Sequence, residues 1–193
     1  IGHNQLLKTI QAEIDETQEK SHLPADLVIC IQEQLKRIDG LQDDIDHIGQ
    51  RLGAMIREDR QMQALQQIPG VGDLTASALV AAVGDFCTFK TARQFASWVG
   101  LVPRHVGTGW KTQQLGISKR GDTYLRTLLI AGARAVIARS GKSGWIERLL
   151  QRRHYNVVVV ALANKMARTA WAVLARGMAF DRARWNPLET VTA

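Results

Sequence analysis

A chain of 193 residues that is 46% apolar and 22% charged can bury a core of ordinary size, as one domain or as a domain with an appendage. It holds no run of eighteen uncharged apolar residues and no basic leader ahead of an apolar stretch, so neither a membrane partner nor export is expected. Charge is unevenly placed: residues 1–66 hold 7 Lys/Arg against 12 Asp/Glu, net −5, while residues 67–193 hold 18 against 6, net +12, which points to a polyanion, nucleic acid before membrane, as the partner of the second part. Cys30 and Cys87 lack the companions of a disulfide framework or a zinc site, which suits a reducing cytoplasm. The histidines are scattered, and no cofactor or metal is expected in this chain. It begins with Ile1 rather than Met, so upstream sequence is expected.

Leu6, Leu7, Ile10 and Ile14 recur at three- and four-residue steps and predict a helix over residues 5–20. Ser21-His22-Leu23-Pro24 interrupts it, and a second helix is expected from Pro24 or Ala25, because proline suits a first helical turn. Ile31, Ile38, Ile45 and Leu52 then fall seven apart, with Leu41, Ile48 and Met55 as the second seam. The heptads predict a coiled-coil or helical-hairpin arm over residues 1–66, through which the chain forms a homo-oligomer. Packing against its own domain is the plainer alternative. Gln34 in the seam, and the helix-weakening Gly40 and Gly49, make such an arm dependent on pairing.

The arm is expected to run on through Met62 and Leu65 until Pro69 stops it. Gly70 and Gly72 permit a tight turn with φ > 0, and a new helix can start near Asp73. This resembles a helix-hairpin-helix element, in which the backbone N–H groups of Gly70, Val71 and Gly72 meet a DNA phosphate. The alternative is a helix–helix turn packed inside the domain. Thr91 and Gln94 form a capping-box pattern for a helix through Phe95 and Trp98 to Gly100. From Leu101 to Leu115 helical periodicity disappears, which predicts an irregular loop or small hairpin rich in polar groups.

Asp122 or Thr123 caps the next helix, whose stripe Leu125, Leu128, Leu129, Ala133, Val136 and Ile137 faces a core and leaves Arg126, Arg134 and Arg139 to solvent or phosphate. Gly141-Lys142-Ser143-Gly144 reads as a turn with Ser143 capping a short helix, and Val157–Val160 as a buried helix start continuing to Gly177. The fold class is all-α: the arm, a compact helical domain over residues 67–180, and a frayed tail over residues 181–193.

Four blocks carry a resemblance: Ile68-Pro69-Gly70-Val71-Gly72; Phe95 to Arg104; Gly116-Ile117-Ser118-Lys119-Arg120-Gly121-Asp122; and Ala161 to Arg168. In order and spacing they resemble the C-terminal domain of insertion-sequence transposases that pair an N-terminal DEDD, RuvC-like domain with a nucleophilic hydroxyl, a family that includes bridge-RNA-guided recombinases and pilin-gene invertases. The resemblance implies DNA as substrate, a guide RNA in some members, a bacterial cytoplasmic, nucleoid-associated location, and Mg²⁺ held by an acidic quartet expected ahead of residue 1. This stretch alone is then an incomplete catalyst.

Within the family pattern Thr108 stands at or next to the position of a nucleophilic serine. Its β-methyl restricts χ1 and crowds an in-line approach to phosphorus. Ser118 is the alternative hydroxyl, or else a helix-capping or phosphate-positioning one, and Thr108 can equally be a loop hydroxyl. Arg104, Lys111, Lys119 and Arg120 are expected to meet charge on phosphoryl oxygens, with Lys111, Lys119, Arg120 and Arg126 also gripping DNA. The competing reading is a non-catalytic nucleic-acid-binding and dimerisation module.

Overall fold

The computed structural model describes residues 7, 9, 10, 12, 24–108, 111–140 and 144–185. Helices dominate, with one two-stranded sheet, so the all-α class stands and the polar segment after Leu101 is its small hairpin. The chain divides into two compact units, residues 1–51 and 52–193. Most of the helix expected over residues 5–20, and the break at Ser21 to Leu23, lie outside the described residues.

In the first unit, helix α1 (Ala25–Glu58) starts directly after Pro24 and continues unbroken past residue 51. Gly40 and Gly49 do not interrupt it, and nothing stands within 4 Å of where their β-carbons would be. They weaken the helix only through backbone freedom. Leu41, Ile45, Ile48 and Met55 are between 55% and 62% exposed, whereas Leu35 is buried.

In the second unit, α1 ends at Glu58 rather than running on to Pro69. Asp59 adopts an extended backbone, and its carboxylate accepts from the amides of Gln61 at 2.7 Å and Met62 at 3.1 Å, capping α2 (Arg60–Gln66). Ile56, Met62 and Leu65 are already core residues, so the second unit begins inside α1. There follow α3 (Asp73–Val83), a 3₁₀ turn (Phe86–Thr88), α4 (Ala92–Trp98), strands β1 (Pro103–Thr108) and β2 (Lys111–Ile117), then α5 (Thr123–Ser140), α6 (Gly144–Leu150), α7 (Tyr155–Ala175) and the short α8 (Arg182–Trp185).

Helix α7 is the axis of this unit, packed by α2, α4, α5 and α6. Val158, Val159, Leu162, Ala163, Met166, Ala167, Ala170, Trp171 and Val173 are buried on more than one side of it. Such packing overrides the weak helix propensity of the valine run. By length and apolarity α7 could cross a membrane, but half of its most apolar window is already buried within the protein. Phe86 and Phe89 stand over Phe95 with ring centroids 5.3 and 5.2 Å away, anchoring α4.

The cap expected at Ser143 lies outside the described residues. Within the expected tail, Trp185 is buried against Phe180, with centroids 5.8 Å apart, so the core reaches Trp185 while residues 181–183 stay exposed.

Candidate nucleic-acid interface

The turn between α2 and α3 follows from its residues. Pro69 supplies the fixed φ of a second turn position and Gly70, at φ 86°, the left-handed third one, while Val71 N–H closes the turn on the Ile68 carbonyl at 3.0 Å. Gly72 departs from expectation: its φ is −94°, and it serves as the N-cap of α3. The first amide of α3 to bond back is that of Ala76, to the Gly72 carbonyl at 2.9 Å, so the amides ahead of it have no helical partner. The Asp73 carboxylate occupies the same first turn, accepting from Gln66 at 2.6 Å across the turn.

The opposite edge of the turn is sealed. A β-carbon on Gly70 would lie 2.8 Å from the Gly132 carbonyl oxygen and 2.9 Å from the Met166 methyl. Val71 is buried and its amide is already bonded to Ile68. Gly72 is therefore the exposed member of the three residues expected at a phosphate.

The second and third blocks of the resemblance form one piece of structure. The Ser118 amide donates to the Val102 carbonyl at 2.9 Å and the Lys119 amide to the Gly100 carbonyl at 3.2 Å. Gly100, at φ 83°, and Gly121, at φ 108°, are glycines by necessity. A β-carbon on the first would overlap the Arg120 carbonyl oxygen, and one on the second the Trp98 carbonyl oxygen. Asn164 ties the fourth block to the second by donating to the Leu101 carbonyl at 3.1 Å.

Arg126 corrects an expectation. It does not face solvent or phosphate: it is buried, its guanidinium donating to the Val99 carbonyl and to the Thr123 hydroxyl, each at 3.1 Å. One turn into α5, capped by Asp122 accepting from the Leu125 amide at 2.9 Å, the side chain lies against the end of α4. Arg134 and Arg139 are exposed, as expected.

Strand register separates the two candidate hydroxyls. β1 and β2 are antiparallel with Thr108 opposite Lys111 at the tip and Pro103 opposite Ile117 at the base, and the register shifts between Pro103 and His105. At about 3.3 Å per residue, the five steps from Pro103 to Thr108 span roughly 17 Å. Ser118 adjoins the base and Thr108 sits at the tip, so they do not share one constellation. The Ser118 oxygen accepts from the Arg120 amide at 3.4 Å, a local turn contact that suits a positioning role. Arg104, Lys119 and Arg120 are exposed around the base, and Lys119 takes a left-handed φ of 54°. Lys111 pairs with Thr108 through the backbone.

Among the described residues, no three His, Cys, Asp or Glu side chains gather as metal ligands. The Mg²⁺ implied by the resemblance therefore has no fitting site in them. Reading the sequence also missed Lys165, which sits in the partly buried face of α7 with its ammonium 4.9 Å from the Trp145 ring centroid and 4.7 Å from that of Trp185. Burial holds its pKa below the ordinary lysine value. The available signal was a lysine set within a valine- and alanine-rich helical run.

Comparison with known proteins accords with this arrangement. Residues 62–151 match the model of the IS116/IS110/IS902 transposase family. A Pseudomonas aeruginosa protein named "Probable family 20 transposase" is 45% identical over 176 residues, covering 89% of this chain and 51% of that protein. The transposase for insertion sequence element IS1328 of Yersinia enterocolitica is 40% identical over 169 residues, covering 85% and 51%. The pilin gene-inverting protein of Moraxella bovis is 28% identical over 145 residues, covering 72% and 44%. The chain spans about half the length of these curated relatives. Through residues 62–151, and along most of its length against relatives named as transposases, the chain is similar to the IS116/IS110/IS902 transposase family.

Proposed function

We propose that this chain is the DNA-binding, nucleophile-bearing part of a transposase or site-specific DNA recombinase. The reading rests on the hairpin: the exposed cations Arg104, Lys119 and Arg120 lie at its base, where they can hold the flanking backbone, and Thr108 lies at its tip. In the proposed step the Thr108 hydroxyl releases its proton as its oxygen bonds to a backbone phosphorus, the phosphorus–O3′ bond breaks, and the departing 3′-oxygen takes up a proton to become a hydroxyl, so bonds and protons balance. Bond energy is conserved in the phosphoester to protein, so the free 3′-OH of a second strand can reverse the step without an external energy source. Lys119 and Arg120 fix the backbone near the hairpin base, and the open amides at Gly72 and the start of α3 add a contact, with the Asp73 carboxylate opposing it.

The exposed stripe Leu41, Ile45, Ile48 and Met55 on α1 supports a homo-oligomer through the arm, where those apolar surfaces are covered. The relatives named as transposases and a gene-inverting protein support DNA as the substrate; a guide RNA remains part of the proposal through the resemblance alone.

The second reading, a binding module that breaks no bond, is favoured by the distance between Thr108 and Ser118 and by the crowding at a threonine. DNA binding as a function of salt tests both against a mere scaffold. If about six phosphates are neutralised, affinity falls roughly 10³-fold between 50 and 200 mM salt. A flat response rejects both DNA readings.

A further inference from the structure

Beside α7 lies an open cleft of about 740 Å³, lined by the start of α4, by Trp145 of α6, by α7 and by the segment leading to Trp185. It shares no residue with the turn at Gly70, the hairpin or the block around Ser118. We infer that this cleft binds an unpaired nucleotide of a nucleic-acid strand, taking the base against its aromatic wall and the flanking phosphates on Arg93 and Arg168. The inference rests on the nucleic-acid reading above and adds to it a site for single-stranded rather than duplex substrate.

Three observations carry it. The first is how the cations are held. Lys165 lies over the rings of Trp145 and Trp185 and donates to the Trp185 carbonyl, and Arg176 lies 5.1 Å from the Trp171 ring centroid. These cations are positioned by aromatic faces and a carbonyl. Arg93 and Arg168 are exposed at the edge of the lining. With Asp181 the one carboxylate among the described lining residues, the cleft carries an excess of positive charge.

The second observation is composition. Trp145 and Phe180, each partly exposed, form an apolar wall beside those cations, while Trp185 is buried. A duplex stacks its base faces away and offers phosphates, sugars and groove edges, which leaves such a wall without a flat partner. An unpaired nucleotide presents a flat base and a phosphate together, and aromatic–base contact adds about 1–3 kcal/mol per base. The third is size: the volume lies in the range of sites that enclose small organic ligands, roughly 300–1,000 Å³. Burial also lowers the Lys165 pKa, and a phosphate nearby would oppose that shift.

The test uses the 193-residue chain and fluorescence anisotropy with end-labelled oligonucleotides of about twelve residues: a mixed-sequence DNA strand, the same strand as RNA, its duplex, and an abasic strand of equal length. Arg168→Glu and Arg93→Glu are the variants, since both side chains are exposed and thermal unfolding can verify that each still folds. The expected result is single-strand affinity at least about tenfold weaker in Arg168→Glu, duplex affinity changed less than about twofold, and abasic strand bound at least about tenfold more weakly than its base-bearing counterpart. Binding of either DNA or RNA satisfies the inference, and the tighter of the two names the strand.

Unchanged single-strand affinity in both variants overturns it, as does an equal loss for strand and duplex. An abasic strand bound as tightly as the normal one also overturns it, because the aromatic wall then contributes nothing. Duplex binding that survives any of these results leaves the DNA reading intact. A chain that binds none of the four ligands removes that reading along with this one.

Discussion

Gly132 on α5 faces the carbonyl of Gly70 so closely that a β-carbon on Gly132 would overlap that oxygen. The α2–α3 turn is thereby seated backbone to backbone on α5. Gly132→Ala gains about 1 kcal/mol of helix propensity. Against this stands overpacking of about 1–3 kcal/mol, toward the upper end here because the obstructing atom is a backbone oxygen that cannot rotate away. A net loss of about 1–2 kcal/mol in urea unfolding is expected, and an unchanged midpoint would show that the turn is not seated this way.

Gly49→Ala is the counterpart in α1, where no atom stands within 4 Å of the new methyl. Helix stability should rise by about 0.5–1 kcal/mol. Circular dichroism melting reads this directly; a loss of helicity would mean that Gly49 is in close contact with another chain.

Arg126→Met removes the donors to Val99 and Thr123 while keeping most of the packed volume. Leaving a buried carbonyl unpaired costs about 1–3 kcal/mol. Arg126→Lys should recover only part of it, since one ammonium does not reproduce a planar fork. Lys119→Ala and Arg120→Ala should stay within about 0.5 kcal/mol of the parent in stability, yet weaken DNA binding and reduce its salt slope. Unchanged stability in Arg126→Met would return that residue to the list of phosphate contacts.

Lys165 sets a pH dependence. Its folded pKa is lowered by burial, so between that value and the ordinary unfolded one the unfolded chain binds more protons. Stability contributed by this group therefore rises with pH across that window and is lowest where the ammonium is fully charged. Urea titrations approaching pH of about 10 should show the rise in the parent and not in Lys165→Met. Equal slopes in both proteins would contradict the burial of this ammonium.

Much of this architecture is visible in apolar spacing. The core stripe of α5, the helix through Val157–Val160 and the irregular hairpin all follow from period and turn residues. The break at Asp59 does not, because Glu58-Asp59-Arg60 has helical composition and the position three residues after Asp59 holds Met62 rather than the Glu or Gln of a capping box. Arg126 reads as an outward cation because its partner, the Val99 carbonyl, lies 27 residues away. The separation of Thr108 from Ser118 depends on strand register, which the polar run between them leaves undetermined. Lys165 escapes notice because its tryptophan partners come from two other elements.

The arm gives a further expectation. Ile45→Glu together with Ile48→Glu places charge on the exposed stripe of α1 without disturbing a buried residue. Sedimentation should show the parent as an oligomer and the variant as a monomer. A parent that is monomeric at every concentration would contradict the proposed role of the stripe.

The most direct test of the central claim is a covalent adduct. The full-length protein is incubated with DNA from its own locus, denatured, and resolved for protein joined to DNA. The account predicts an adduct that Thr108→Ala abolishes and Ser118→Ala retains. An adduct that persists in Thr108→Ala, or its absence from the parent while DNA remains tightly bound, would contradict it.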